Sequence, residues 1–148
     1  MQIHYRNDVR GSGVDARALK SAMRLLLSGV DRPDAAISLT LVNDAAIREL
    51  NREHRGKDQA TDVLSFPLEP EPLAPEQLLG DIVISIETAR RQAAEYDAPL
   101  QREVERLMIH GLLHVLGHDH MEPDERAAME AEERRLAAAI GMPWPYEH

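Results

Sequence analysis

The sequence predicts an α+β fold: a single domain over residues 1–148, with a small mixed sheet of about four strands and about five helices. Segments with the two-residue alternation of strands are interspersed with segments of helical periodicity. The last strands and helices do not follow a simple βαβα series, which argues against a doubly wound sheet. The chain has no internal repeat and no linker that would divide it, and its length is typical of one domain.

The first half of the chain predicts two strands and two helices. Residues 2–6 have the pattern of a short strand. Residues 14–30 predict a helix, because their apolar side chains recur near a 3.6-residue period. Residues 36–42 alternate apolar and polar side chains, as a half-buried strand does. Asn43 is a suitable N-cap for a helix over residues 45–53.

The middle of the chain predicts two more strands with a loop between them. A turn at residues 55–58 leads to a strand at 61–66, which Pro67 ends. Residues 67–79 contain four prolines, which indicates an exposed loop. Residues 81–86 form the most apolar strand, so we expect it at the centre of the sheet.

Three helices are predicted in the last third. They cover residues 88–97, 99–116 and 123–141, and the second is expected to end at Gly117. This second helix is apolar nearly all round, which predicts that it is buried. The tail at residues 143–146 has two prolines and is expected to be extended.

Composition narrows the classes of protein that fit. The chain has no cysteine, no long apolar run and no apolar segment typical of a signal peptide, so we expect a cytoplasmic protein without membrane association. Any zinc must then be held by His, Asp or Glu. The net charge of −9 argues against a general nucleic-acid coat protein. Residues 1–30, with five Lys or Arg and two Asp or Glu, are nevertheless basic, which allows a local anion-binding face.

A candidate metal site begins at His110. His110 and His114 are four residues apart on the buried helix, so both imidazoles point from one face, about 6 Å apart along the axis. Gly117 allows the chain to turn back, and His120 can then approach the same ion. Three histidine nitrogens leave a fourth tetrahedral position for water, as in catalytic zinc sites.

Other interpretations of these histidines stay open. His110, His114 and His120 could instead be core and turn residues whose rings bond to backbone carbonyls, or they could hold a metal ion with a structural role. His118 is a turn residue, a substrate contact or an alternative ligand. Asp119 either orients a ligand imidazole or caps the turn.

The residue after the first histidine separates two hydrolase classes. The spacing HxxxHxxGxxH is that of metzincin proteases, which carry a glutamate base directly after the first His. In this chain the position is occupied by Gly111, which has no side chain and so cannot supply that base.

A basic segment contains Arg52, Arg55 and Lys57. It is compatible with a phosphate site, and equally with an ordinary solvated helix end.

Four ordered segments give the chain a specific resemblance to the YbeY-type endoribonucleases, the bacterial rRNA maturation factors. The resemblance covers nearly the whole chain from about residue 36. The segments are Leu50-Asn51 with Arg55-Gly56-Lys57-Asp58 and Thr61-Asp62-Val63-Leu64-Ser65-Phe66-Pro67; Leu79-Gly80-Asp81-Ile82-Val83-Ile84-Ser85; Gln92-Ala93 with Glu95-Tyr96; and His110-Gly111-Leu112-Leu113-His114 with Gly117-His118-Asp119-His120.

This resemblance implies a zinc-dependent, single-strand-preferring endoribonuclease acting in 16S rRNA 3′-end maturation and ribosome quality control. It implies one Zn²⁺ held by His110, His114 and His120, and a functional arginine at Arg55. The implied partners are the small ribosomal subunit, a ribosomal protein and an assembly GTPase. It also implies a small mixed sheet with the metal helix behind it.

Within that interpretation, Arg55 and His114 are the predicted catalytic residues, and Arg55, Lys57 and Ser65 are predicted to contact RNA. For Ser65 the alternative is an ordinary strand position in the wall of the cleft. The family often has tyrosine where this chain has His54 and His118. Two alternatives remain: an assembly factor whose metal is mainly structural, which the acidic charge favours, and a zinc peptidase, which Gly111 disfavours.

Overall fold

A computed structural model describes residues 2–69, 71–74, 77–118 and 121–142. The described residues form four strands and five helices. In chain order they are β1 (Gln2–Asn7), α1 (Ala16–Gly29), β2 (Ala36–Val42), α2 (Asp44–Arg55), β3 (Val63–Pro67), β4 (Leu78–Ser85), α3 (Ile86–Glu95), α4 (Leu100–Val115) and α5 (Pro123–Ala139). The predicted tail at residues 143–146 lies outside them.

The sheet is mixed, with the strand order β1-β2-β4-β3. β1 and β4 both pair with β2 in parallel, while β3 pairs with β4 antiparallel and forms an edge. The predictions of an α+β fold with a small mixed sheet, and of a central position for the most apolar strand, are therefore confirmed. Since β3 is an edge strand, it can include Pro67, which has no amide hydrogen to donate.

The two faces of the sheet are covered unequally. The larger core packs α1, α3, α4 and α5 against one face, around residues such as Leu41, Ile82 and Ile84. On the opposite face α2 packs alone, with Ile47 against Val83 and its neighbours. The alternation of side chains along each strand explains this division. The metal helix predicted from the sequence is α4, and it is buried as expected.

The end of α2 and the start of β4 differ from the predicted boundaries, and both differences affect the site. α2 continues to Arg55, so this arginine belongs to the last helical turn instead of the following turn. The amides of Gly56 and Lys57 close this end by bonding to carbonyls of the preceding turn. β4 begins at Leu78, inside the predicted loop, because its backbone pairs with both β2 and β3 there.

Within the described parts of the chain, no helix is both long and apolar enough to cross a membrane.

Candidate active site

The buried helix α4 brings two imidazoles together. His110 and His114 lie one helical turn apart, both half-buried, and their rings meet edge to face with centroids 4.5 Å apart. The Nε2 atoms of the two rings are 3.1 Å apart. The helix therefore directs one nitrogen of each ring at the same point in space.

This geometry fits a zinc ion. Two nitrogens that each lie about 2.0–2.1 Å from one tetrahedral ion are about 3.3 Å from each other, close to the observed separation. Imidazole nitrogen is also a preferred zinc ligand in a chain without cysteine. His110 and His114 are thus suited to be two ligands of one ion.

The end of α4 turns the chain back as the sequence predicts. Gly117 has a φ of +98°, a conformation that residues with a Cβ rarely adopt. The amide of Gly117 donates to the carbonyl of His114 (3.0 Å), and that of His118 donates to the carbonyl of Leu113 (2.9 Å). These two bonds form a Schellman motif and close the helix. His118 then lines a small hollow with residues of α5.

The third predicted ligand is outside the described residues. Within residues 2–69, 71–74, 77–118 and 121–142, no group of three His, Asp or Glu side chains is arranged to hold a metal ion. His120, like Asp119, belongs to the segment between these ranges. The assignment of His120 therefore stays a prediction from the sequence.

Arg55 reaches the site from the other face of the sheet. It lies at the end of α2, and its Nη2 donates to the backbone carbonyl of Ser65 on β3 at 2.9 Å. Its guanidinium carbon is 6.0 Å from the centre of the Phe66 ring, which adds a cation–π contact. The hydrogen bond and the ring together hold the arginine against the edge strand.

Around this edge, residues from both faces of the sheet meet in one cleft of about 500 Å³. Arg55 and Lys57 lie on its wall together with His110 and His114. The remaining lining residues are Asn51, Gln59, Thr61, Asp62, Val63, Leu64, Ser65 and Pro67. The structure therefore joins the predicted metal pair and the predicted phosphate contacts in one site.

The three basic side chains of this segment, Arg52, Arg55 and Lys57, differ in whether a carboxylate pairs with them. Arg52 forms an ion pair with Glu49 on the same helix and is absent from the cleft lining. Among the described residues, no carboxylate lies within ion-pair distance of Arg55 or Lys57. Arg55 and Lys57 line the cleft, where an anionic ligand could reach them, and Arg55 also lies in the last turn of α2, as an ordinary helix end would have it.

Ser65 lines the cleft and also ties its two walls together. Ser65 is 7% exposed, and its hydroxyl donates to the carbonyl of Gly111 on α4 at 3.0 Å. Its own carbonyl accepts the hydrogen bond from Arg55. One residue of the edge strand thus contacts both the arginine and the metal helix.

We expect Ser65→Ala to lower the free energy of unfolding by about 1 kcal/mol, because it removes a buried hydrogen bond. The bond from Arg55 uses the backbone and is retained, so KM for RNA should stay near that of the parent. Urea unfolding and steady-state cleavage measure the two effects. A large rise in KM without loss of stability would instead assign the hydroxyl to substrate binding.

Gly111 allows α4 to approach the sheet closely. A Cβ at this position would lie 2.8 Å from Cγ2 of Ile82 and 3.2 Å from Oγ of Ser65. The place where a metzincin carries its glutamate base is therefore packed against β3 and β4 in this fold. A glutamate there would have to displace the sheet, which is a physical reason against the peptidase alternative.

We expect Gly111→Ala to destabilise the protein by about 1–2 kcal/mol, the upper part of the net range. Alanine favours the helix by about 1 kcal/mol, but overpacking a tight core costs about 1–3 kcal/mol. The Ile82 contact leaves little room for relaxation. Urea unfolding measures the difference, and a variant as stable as the parent would show that the helix and sheet separate easily.

One contact of the site is absent from the sequence-based predictions. Glu133 of α5 is buried, and its Oε2 lies 3.5 Å from Nδ1 of His110. The sequence does carry a signal for it, because Glu133 occupies the apolar stripe of α5 with Met129, Leu136 and Ala137. An acidic residue on such a stripe needs a polar partner.

Comparison with known proteins agrees with these observations. A sequence model of the family described as "Endoribonuclease YbeY" matches residues 6–141. A protein of that name from Anaeromyxobacter sp. (strain Fw109-5) is 49% identical over 127 residues, covering 86% of this chain and 66% of the relative, so the chain spans just under two thirds of its length. Another, from Desulfitobacterium hafniense, is 44% identical over 142 residues, covering 90% of this chain and 88% of the relative.

The fold has a counterpart among solved structures. The solution structure of a protein from Thermotoga maritima superposes with a TM-score of 0.59 at 24% identity, covering 99% of both chains. At this level of identity the likeness concerns the fold alone. The family match over residues 6–141 and the 44% identity to the Desulfitobacterium relative over 90% of this chain are the stronger evidence. The chain belongs to the YbeY endoribonuclease family.

Proposed function

We propose that this chain is a zinc-dependent endoribonuclease that prefers single-stranded RNA. The observation that carries the proposal is the shared cleft, in which Arg55 lies with the converging imidazoles of His110 and His114. A phosphodiester in the cleft would meet a planar arginine fork and a metal position at once. The cleft volume of about 500 Å³ suits a nucleotide-sized group.

The chain's own residues have distinct roles in this proposal. His110, His114 and His120 hold the ion, and when bound the zinc supplies Lewis-acid polarisation of a phosphate oxygen or an attacking water. Arg55 stabilises the negative charge that develops on the phosphoryl oxygens in the transition state. Its bond to the Ser65 carbonyl fixes its position before substrate arrives. Lys57 adds a positive charge that holds the RNA backbone.

Two nucleophiles are compatible with this arrangement. Attack by the RNA 2′-hydroxyl forms a new bond to phosphorus, expels the 5′-oxygen of the next nucleotide and leaves a cyclic phosphate. Attack by water expels a ribose oxygen and leaves a free phosphate end. The two products differ by one water in mass, so mass spectrometry of the fragments distinguishes them.

We place this activity in the cytoplasm, in maturation of the 16S rRNA 3′ end and in ribosome quality control. The net charge of −9 opposes general attraction to RNA. Protein contacts are therefore the better means of targeting. The small ribosomal subunit, a ribosomal protein and an assembly GTPase, all suggested by the family resemblance, are the proposed partners.

The same acidity favours a second candidate: an assembly factor that binds ribosomal partners and whose metal is mainly structural. It differs from the first in one respect, which is whether RNA is cut at the cleft. The two cations without a carboxylate partner in the described structure favour the endoribonuclease.

A strand-preference assay tests the proposal. Zinc-loaded protein is incubated with an end-labelled RNA, either alone or annealed to its complement, with and without a chelator. We expect cleavage of the single strand, little cleavage of the duplex, and loss of activity with chelator that zinc restores. Equal cleavage of both RNAs would contradict the preference, and cleavage that resists complete metal removal would contradict zinc dependence.

A further inference from the structure

The buried carboxylate of Glu133 is unexpected on stability grounds. Glu133 is 7% exposed, and it lies on the same buried stripe of α5 as Met129 and Leu136, which pack in the main core. A buried carboxylate costs free energy unless it is paired or hydrogen-bonded, and an apolar residue of similar volume often stabilises such a position more. The role of Glu133 therefore lies in the contact that it makes.

That contact is to the outer nitrogen of a candidate ligand. Oε2 of Glu133 lies 3.5 Å from Nδ1 of His110, while Nε2 of the same ring lies 3.1 Å from Nε2 of His114. The two nitrogens of one imidazole thus face different partners. Glu133 lies on the side away from the point where the two rings converge.

We infer that Glu133 is a positioning residue that orients the His110 imidazole for metal binding. An Nδ1–H that donates to the carboxylate leaves the lone pair of Nε2 directed toward His114 and the ion. The carboxylate also makes the imidazole a stronger electron donor. The inference rests on the proposed zinc site and adds a residue from α5, a helix that contributes none of the three predicted ligands.

A purely structural link between α4 and α5 makes different predictions. A structural link affects the stability of the metal-free protein and leaves metal affinity unchanged. A positioning residue affects metal affinity even in variants whose metal-free fold is intact. The two roles are therefore separable by measuring the zinc dissociation constant and the metal-free Tm on the same variants.

The test uses Glu133→Gln, Glu133→Leu and a control, Glu105→Gln. Glutamine keeps the size of the side chain and a hydrogen-bond acceptor, while leucine removes all polarity. Glu105 is a matched control because it is also 7% exposed and lies on α4, but it pairs with Arg102. Zinc affinity is measured by competition with a chromophoric chelator, and ligand geometry by the visible absorption of the cobalt-substituted protein.

We expect zinc affinity to fall about tenfold in Glu133→Gln and up to about a hundredfold in Glu133→Leu. The cobalt spectrum should change in both, while Glu105→Gln matches the parent and the metal-free Tm of Glu133→Leu is not lowered. Zinc affinities of both Glu133 variants within about twofold of the parent would overturn the inference and leave the zinc site standing. A parent protein that binds no zinc would overturn the proposed cofactor, and the inference with it.

Discussion

His114→Ala is expected to abolish tight zinc binding. His114 supplies one of the two Nε2 atoms that converge at 3.1 Å, so its loss leaves at most two of the three predicted ligands. Two neutral nitrogens do not make a tight protein site for zinc, which in catalytic sites usually has three protein ligands. Metal analysis after dialysis should give about one zinc per parent chain and close to none per variant.

The control for this experiment is His4→Ala. His4 is an exposed histidine on β1, so the variant loses an imidazole without touching α4. It should retain the metal content of the parent. A His114→Ala protein that is fully loaded with zinc would contradict the three-histidine assignment.

Arg55→Ala is expected to reduce RNA cleavage by about a hundredfold, since removing a preorganised donor from a developing oxyanion typically costs about that much or more. Zinc content should stay at the level of the parent, because Arg55 contacts the Ser65 carbonyl and the Phe66 ring, and neither is a predicted ligand. Single-turnover cleavage rates measure the first effect and metal analysis the second.

Two further variants make this result specific. Arg52→Ala removes an arginine from the same helix that pairs with Glu49 outside the cleft, and it should cleave like the parent. Arg55→Lys keeps the charge and loses the planar fork, so it should recover only part of the activity. An Arg55→Ala protein that unfolds would show that the arginine is structural.

The elements of the fold and the pairing of His110 with His114 were accessible to sequence reasoning because they depend on local patterns. A helical period predicts α4, and the spacing of His110 and His114 predicts that their rings share a face. The left-handed end at Gly117 follows from its lack of a side chain. These features need no knowledge of which elements become neighbours.

That Arg55 and the histidine pair of α4 meet in one cleft was harder to predict from the sequence. Arg55 ends α2 on one face of the sheet, and α4 covers the other face, so their meeting depends on β3 being the edge strand. The double contact of Ser65 with Arg55 and Gly111 depends on the same arrangement. The family resemblance indicated Arg55, and the basic segment indicated Lys57. Glu133 gave a weaker signal, an acidic residue on the apolar stripe of α5, and its partner His110 became evident only from the packing of α5 on α4.

Cleavage of a labelled single-stranded RNA that carries a 16S rRNA 3′ end tests the proposed activity most directly. Zinc-loaded parent and His114→Ala are purified identically and assayed side by side. We expect the parent to cut the RNA and the variant to leave it intact, which also excludes a contaminating nuclease. Cleavage by both proteins at equal rates, or by neither when zinc is bound to the parent, would contradict a metal-dependent endoribonuclease at this cleft.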